Sequence, residues 1–134
     1  MKRVVFVCVH NSGRSKMAEA FFNQLAQGKE MTDTSAGTQP STGVNPTVVQ
    51  AMRDVGIDLS RERPRQLTPV MWQQADRVIT MGCGVAESCP AGFLVTEDWD
   101  LDDPHGQPLE AVRTIRDQVR QRVQQLITEL EREE

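Results

Sequence analysis

Apolar and polar positions alternate along the chain in blocks that predict strands and helices in turn. The run over residues 3–8 is predominantly apolar and is typical of a strand buried on both faces. Further strands are predicted at 33–36, 77–81 and 92–95. Apolar residues at helical spacing predict helices after Lys16, Pro46, Pro69 and Pro108. This alternation predicts an α/β fold, with a parallel sheet covered by helices on both sides.

Helix boundaries are marked by short signals in the sequence. Asn45-Pro46 combines a capping residue with a proline at the first helical position, and Thr68-Pro69 repeats this pattern. Gly28 and Gly56 are predicted to end the helices that precede them. From Pro108 onward, apolar residues hold one face of a long final helix.

Length and composition predict one domain, residues 1–134, with an ordinary globular core. The net charge of −4 argues against a nucleic-acid or anionic-membrane partner. Met1-Lys2-Arg3 and six apolar residues are too short for a signal peptide, and no stretch is long enough to span a membrane. Three cysteines are too few for a secreted disulfide scaffold, so we expect a cytoplasmic protein with reduced thiols.

The candidate chemistry begins where the first strand ends. Cys8 is followed by a short polar loop, then by Arg14 and a helix-forming stretch. A loop of this kind surrounds the sulfur with backbone N–H groups, with a guanidinium on the rim and a helix N-terminus behind. Such a cradle binds a tetrahedral oxyanion and favours a thiolate. The predicted oxyanion-binding residues are Val9, His10, Asn11, Ser12, Gly13, Arg14 and Ser15.

Individual residues of this loop have expected roles, each with a simpler alternative. Ser15 is placed to donate a hydrogen bond to the sulfur, and Asn11 to shape the turn; plain helix-cap and turn roles remain open for both. The His10 side chain is expected to point outward. Cys8 itself has the alternative of a small buried residue at a strand end.

A leaving oxygen needs a proton, so a carboxylic acid should reach the loop from elsewhere. Asp103, held by the following proline, is the predicted general acid, although Asp-Pro-x-Gly is also a common turn. His105 is assigned to the loop surface. The clustered arginines Arg61, Arg63 and Arg65 belong either to a solvated loop or to a surface that guides an anionic substrate.

Several motifs, taken together and in this order, resemble a known family over essentially the whole chain. They are Val7-Cys8-x-x-Asn11-Ser12-x-Arg14-Ser15-x-Met17-Ala18-Glu19, Ser35-Ala36-Gly37, Val44-Asn45-Pro46, Gly56-Ile57-Asp58-Leu59-Ser60 and Asp102-Asp103-Pro104-x-Gly106. They look like the arsenate reductases built on the low-molecular-weight protein tyrosine phosphatase fold. The resemblance implies a four-stranded parallel sheet flanked by helices, with Cys8 as nucleophile, Arg14 as anion clamp and Asp103 as general acid.

Within this superfamily the sequence favours a reductase over a phosphatase. The segment around Cys83 and Cys89 is similar to the reductase segment that carries two further redox cysteines. The phosphatases carry aromatic residues just after Asp-Pro, whereas His105 and Gly106 stand there in a chain without tyrosine. Glu97-Asp98-Trp99 also looks like the reductase sequence. The cysteine spacing does not suit zinc, so we expect no metal and no cofactor.

The sequence departs from the thioredoxin-linked reductases in two places. It has one residue fewer between its second and third cysteines. Some of those proteins bind potassium through an asparagine, a glutamate, a serine and an aspartate; Asn11, Glu19 and Ser35 match. The region expected to supply the aspartate reads Arg61-Glu62-Arg63-Pro64-Arg65-Gln66, which argues against a cation site.

The predicted substrate is arsenate, with phosphate as its analogue. The predicted reductant is either thioredoxin, acting through a Cys83/Cys89 cascade, or a low-molecular-weight thiol with a glutaredoxin-like protein. In the cascade, Cys83 attacks the arsenylated Cys8, and Cys89 then resolves the disulfide. The alternative is that Cys83 is a packed strand-end residue and Cys89 an incidental loop thiol. A phosphatase for phosphorylated residues and a non-catalytic oxyanion or redox sensor remain as alternatives.

Overall fold

Four parallel strands form a sheet in the computed structural model, which describes residues 1–81 and 97–133. The strands are β1 Lys2–Cys8, β2 Met31–Gly37, β3 Arg77–Thr80 and β4 Glu97–Asp98, and they lie in the order β2-β1-β3-β4. The register of β1 with β2 sets Cys8 beside Gly37. Because parallel strands end at the same edge, the loops after β1 and β2 meet there.

Helices cover both faces of the sheet. They are α1 Arg14–Leu25, α2 Pro46–Arg53, α3 Pro69–Gln73 and α4 Leu109–Arg132. Alternate side chains of β1 point to opposite faces. Phe6 therefore packs into the larger core with α1, α2 and α4, whereas Val5 and Val7 pack with Trp72 of α3 on the other side.

Trp99 fixes the segment that follows β4. Its indole is 2% exposed, and its ring centroid lies 5.7 Å from that of Phe6 on β1. Its backbone N–H donates to the Thr80 carbonyl at 2.7 Å. Burying a side chain of this size contributes about 2–3 kcal/mol. This anchor holds the acidic segment after Trp99 against the carboxyl edge of the sheet.

The predicted fold class is confirmed, because a four-stranded parallel sheet is flanked by helices. The predicted cap at Asn45 is present, since its side-chain oxygen accepts a hydrogen bond from the Thr47 N–H at 2.9 Å. Gly28 does not close α1 directly: the helix ends at Leu25, and Gly28 has a φ of 78° in the following turn. The strand predicted at 92–95 lies outside the described residues.

The described part of the chain contains no helix that is long and apolar enough to cross a membrane.

Asp33 on β2 carries a carboxyl group whose two oxygens are both buried. Neither of its oxygens has a hydrogen-bond partner among the residues that the structure describes. Burial raises the pKa of the Asp33 carboxyl from 3.8 to about 8; the negative charge of Glu19 adds to this effect, and Arg65 opposes it. The folded protein therefore keeps a proton at neutral pH that the unfolded chain releases above about pH 4.

We expect Asp33→Asn to stabilise the protein increasingly as the pH rises. Because the pKa of Asp33 is higher in the folded state, the wild type loses stability from about pH 4 up to about pH 8, above which the folded protein also releases the proton. Asparagine resembles the protonated carboxyl and carries no such dependence. Urea unfolding between about pH 5 and pH 8 should show the variant gaining roughly 2–4 kcal/mol over the wild type.

The control is Asp117→Asn, a carboxyl with a side chain 66% exposed on α4. Its unfolding free energy should track that of the wild type across the same range. Parallel pH curves for Asp33→Asn and the wild type would show that Asp33 ionises normally in the folded protein.

Candidate active site

The Cys8 loop, residues 8–14, joins the end of β1 to the first residue of α1. Cys8 is 4% exposed, and its sulfur accepts a hydrogen bond from the Asn11 N–H at 3.1 Å. Asn11 has a φ of 51°, a left-handed conformation that asparagine tolerates better than most residues. This turn brings the Asn11 N–H to the sulfur, just before the N-terminus of α1. The sulfur therefore lies beside a backbone donor and close to the N-terminus of α1.

The side chain of Asn11 fixes the direction of the Ser15 hydroxyl. Asn11 Nδ2 donates to Ser15 Oγ at 2.7 Å, and Ser15 Oγ lies 2.9 Å from the Cys8 sulfur. Because the serine oxygen accepts the amide proton, its own proton is available to the sulfur. The structure therefore places Ser15 where the sequence predicts a donor to a thiolate.

Arg14 connects the loop to the acidic segment. Its buried guanidinium donates from NH1 to the Leu101 carbonyl at 2.7 Å, and its NH2 lies 3.9 Å from Asp103 Oδ1. The Asp103 side chain is 51% exposed, and Oδ1 accepts a hydrogen bond from the His105 N–H at 3.0 Å. A planar guanidinium held in this way presents a fixed set of donors to an oxyanion.

These groups surround a small pocket of about 190 Å³. The Cys8 loop forms one side of it, and Asp103, Pro104 and His105 form the opposite side. An anion in the pocket would meet the sulfur, the loop amides and Arg14 together. Such a site can bind a tetrahedral oxyanion, offer it a nucleophile and protonate a departing oxygen.

Two glycines allow the surrounding segments to approach the loop closely. A Cβ on Gly13 would lie 2.7 Å from Pro104 Cγ, and one on Gly37 would lie 2.6 Å from the Val9 carbonyl oxygen. The acidic segment and the end of β2 therefore pack directly against the Cys8 loop. Any side chain at Gly13 would have to displace the proline that precedes His105.

The structure brings most of the predicted site residues together. Val9, Ser12 and Gly13 line the pocket with Cys8, Arg14 and Asp103, while Asn11 and Ser15 lie buried behind the loop. His10 also lines the pocket but is exposed, and its Nδ1 lies 3.0 Å from the Gln39 carbonyl oxygen. Cys83 and Cys89 lie outside the described residues.

Two features of the site are absent from the sequence predictions. Asn45 lines the pocket, and its backbone N–H donates to the Ser12 carbonyl at 2.8 Å; its helix-cap signal gives no hint of this second contact. Arg65 does not face the pocket, because its guanidinium contacts Glu19 at 2.8 Å instead. Its direction depends on how β2 and α1 pack, which local sequence does not reveal.

Comparisons with known proteins give a consistent picture. The sequence model of the family described as low molecular weight phosphotyrosine protein phosphatase matches residues 3–134. The glutaredoxin arsenate reductase of Synechocystis sp. is 42% identical over 134 residues, which cover 97% of this chain and 99% of that protein. A solved arsenate reductase in the phosphate binding state has a TM-score of 0.84 and 42% identity, covering 96% of this chain and 98% of its own.

A solved phosphatase is also similar. The low molecular weight protein tyrosine phosphatase from T. tengcongensis has a TM-score of 0.82 and 27% identity, over 96% of this chain and 99% of its own. Reductase and phosphatase relatives thus share this architecture over nearly their full lengths.

We expect Gly13→Ala to separate the acidic segment from the Cys8 loop. The new methyl group would meet Pro104 at 2.7 Å, so overpacking should lower the free energy of unfolding by roughly 1–3 kcal/mol. It should also weaken protection of Cys8 from iodoacetamide by phosphate. The measurements are urea unfolding and alkylation of the Cys8 peptide followed by mass spectrometry.

Gly43→Ala is the matched control, because a Cβ there meets nothing within 4 Å. It should stay within about 0.5 kcal/mol of the wild type. If both alanine variants keep wild-type stability and phosphate protection, the close contact between Gly13 and Pro104 has no energetic role.

Proposed function

The chain belongs to the low molecular weight phosphotyrosine protein phosphatase family, and we propose that it is an arsenate reductase that uses Cys8 as its nucleophile. The observation that carries this proposal is a buried sulfur within an oxyanion-sized pocket, with Arg14 and Asp103 on its rim. A curated relative and a solved structure, each 42% identical over nearly the whole chain, are described as arsenate reductases, which supports arsenate as the substrate.

In the proposed first step, the Cys8 thiolate attacks arsenic and an oxygen leaves. The loop amides and Arg14 stabilise the negative charge on the remaining oxygens. Asp103 protonates the leaving oxygen, which departs as water. Since the His105 N–H holds one carboxyl oxygen of Asp103, the other oxygen is suited to carry the proton.

In the second step, another thiol attacks the Cys8 sulfur. The new S–S bond forms as the S–As bond breaks, and the electron pair of that bond remains on arsenic. Arsenic(V) is thereby reduced to arsenic(III) and leaves as arsenite, while two thiols are oxidised to a disulfide. The disulfide must then be reduced before the next turnover.

Two sources of reducing thiols are compatible with this scheme. Thioredoxin would act through an internal cascade of Cys83 and Cys89. A low-molecular-weight thiol with a glutaredoxin-like protein would need neither cysteine, and the name of the Synechocystis relative supports this route. Both operate where thiols are kept reduced, so we place the reaction in the cytoplasm.

Phosphatase activity is the alternative on the same fold, and the similarity to a solved tyrosine phosphatase favours it. A thiophosphate intermediate on Cys8 would be hydrolysed by water. The residues after Asp103 are Pro104, His105 and Gly106, which offer no Phe, Tyr or Trp ring to sandwich a phosphotyrosine. A non-catalytic oxyanion or redox sensor is a further alternative, but simple binding does not require an acid beside the pocket.

We expect the purified protein to reduce arsenate, and Cys8→Ser to abolish this activity. Serine keeps the shape of the side chain but is a far weaker nucleophile, so turnover should fall at least about 10³-fold. Arsenite release is measured with thioredoxin and its reductase, and separately with a small thiol plus glutaredoxin.

The rate of aryl phosphate hydrolysis by the same preparation is compared with the rate of arsenate reduction to rank the two activities. No arsenite release with either reducing system would refute the reductase proposal. A kcat/KM for aryl phosphate above roughly 10⁴ M⁻¹s⁻¹, typical of dedicated enzymes, would reverse the order of the two functions. Phosphate protection of Cys8 from alkylation without any turnover would indicate the sensor.

For the internal cascade, we expect Cys83→Ser to block arsenite release in a single turnover without added small thiol. Cys83 follows a parallel strand that ends at the same edge as Cys8, so its thiol is the expected attacking group. Cys89→Ser is the matched variant: it should release one equivalent of arsenite and accumulate a Cys8–Cys83 disulfide. Disulfide mapping by mass spectrometry distinguishes the two variants.

Release that persists in Cys83→Ser would end the cascade proposal. An external thiol would then be the second nucleophile.

A further inference from the structure

Glu19 of α1 is a mostly buried carboxylate whose two oxygens are both engaged. Arg65 NH1 donates to Glu19 Oε2 at 2.8 Å, and the Ser35 hydroxyl donates to Oε1 at 2.8 Å. Lys16 Nζ lies 3.5 Å from Oε1. The Glu19 side chain is only 9% exposed, so its charge depends on these neighbours rather than on water.

A continuous set of hydrogen bonds leads from this carboxylate to the sulfur. Because Ser35 donates its proton to Glu19, its oxygen accepts from Asn11 Nδ2 at 3.0 Å. The same amide nitrogen donates to Ser15 Oγ, whose proton is then directed to Cys8. Glu19 thus fixes the direction of the Ser35 proton, and the donating Asn11 amide fixes the direction of the Ser15 proton.

Arg65 holds this series at two points. Its guanidinium binds Glu19, and its backbone N–H donates to Asn11 Oδ1 at 2.9 Å. The backbone bond fixes which end of the Asn11 amide faces the serines. Its carbonyl also accepts from the Gly37 N–H at 2.8 Å, so the main chain of Arg65 is anchored independently of its side chain.

These contacts do not fit the potassium site found in some related reductases. Asn11, Glu19 and Ser35 match its oxygen ligands, but a metal ion would need Glu19 oxygens that already face two cationic side chains. The segment expected to supply an aspartate contributes the guanidinium of Arg65 instead. A permanent cation therefore lies against the carboxylate that a metal ion would otherwise neutralise.

We propose that Arg65 is a positioning residue for the reaction, a built-in cation that holds the Glu19–Ser35–Asn11–Ser15 series in the arrangement that stabilises the Cys8 thiolate. The inference rests on the proposed function only in treating Cys8 as the nucleophile. Arg65 itself does not touch the pocket, so its effect on the sulfur passes through the hydrogen bonds.

The other charged groups around Glu19 leave Arg65 as its main compensating cation. Lys16 is buried on the same helix and lies 3.6 Å from Glu62, so it shares its charge between two carboxylates. Asp33 on β2 is the third acidic group nearby, and burial together with the Glu19 charge raises its pKa to about 8. Without Arg65, the cation beside Glu19 would be Lys16, whose ammonium group also contacts Glu62.

The test compares Arg65→Ala with Arg65→Lys and Arg63→Ala. Arg63 is an exposed arginine two residues earlier on the same segment and is the matched control. The readout is the rate of iodoacetamide alkylation of the Cys8 peptide as a function of pH, beside arsenate reduction. His10 and Arg14 belong to the Cys8 loop, Asp103 and His105 line the pocket beside it, and all four are unchanged in the variants.

We expect Arg65→Ala to alkylate about tenfold more slowly at neutral pH, with its pH profile shifted upward. Arg65→Lys should recover most of the rate, and Arg63→Ala should match the wild type. Potassium chloride or guanidinium chloride at about 100 mM should restore Arg65→Ala toward the wild type, whereas choline chloride at the same ionic strength should not. The wild type should not respond to potassium.

Three results would overturn the proposal. They are an alkylation profile of Arg65→Ala that matches Arg63→Ala, a loss that neither lysine nor added cation restores, and a wild type that potassium accelerates over choline. The alkylation rate does not depend on arsenate. A failure to reduce arsenate would therefore contradict the proposed function, whereas the alkylation rates would still test the role of Arg65.

Discussion

The amide of Asn11 is the contact on which the rest of the site depends. Its side chain is fully buried and binds one group in each of three segments: Ser15 on α1, Ser35 on β2 and the backbone of Arg65. At the same residue, a left-handed backbone turns the N–H toward the Cys8 sulfur. One residue therefore joins the local shape of the loop to the tertiary packing around it.

The parts of the structure that follow from local chemistry were accessible from the sequence. A buried strand, a glycine-containing loop and a helix start within fifteen residues predict where Cys8 and Arg14 lie. Asn45-Pro46 correctly predicts the beginning of α2, because capping is a local interaction. Asp103 was predicted from the need for an acid, and the structure places it 3.9 Å from Arg14.

The network behind the loop was not accessible in the same way. Its geometry depends on the register of β1 with β2 and on the packing of α1, so residues far apart in sequence become neighbours. Arg65 appeared as one of three exposed arginines, and no local feature separates it from Arg63. Asp33 looked like an ordinary strand residue, because its burial is a tertiary property. Such buried polar groups are where tertiary structure overrides local pattern.

The groups that would bind the oxyanion differ from those that would complete the reaction, and one fold can therefore serve two reactions. Phosphate and arsenate are both tetrahedral oxyanions, and backbone N–H groups with a guanidinium bind their shared shape and charge without distinguishing the central atom. In the proposed mechanism, selectivity then arises after the covalent adduct on Cys8 has formed. Water completes a phosphatase cycle, whereas attack by a thiol on the sulfur completes a reductase cycle. The residues that decide the reaction are therefore those that control which of these two reaches Cys8, rather than those that bind the anion.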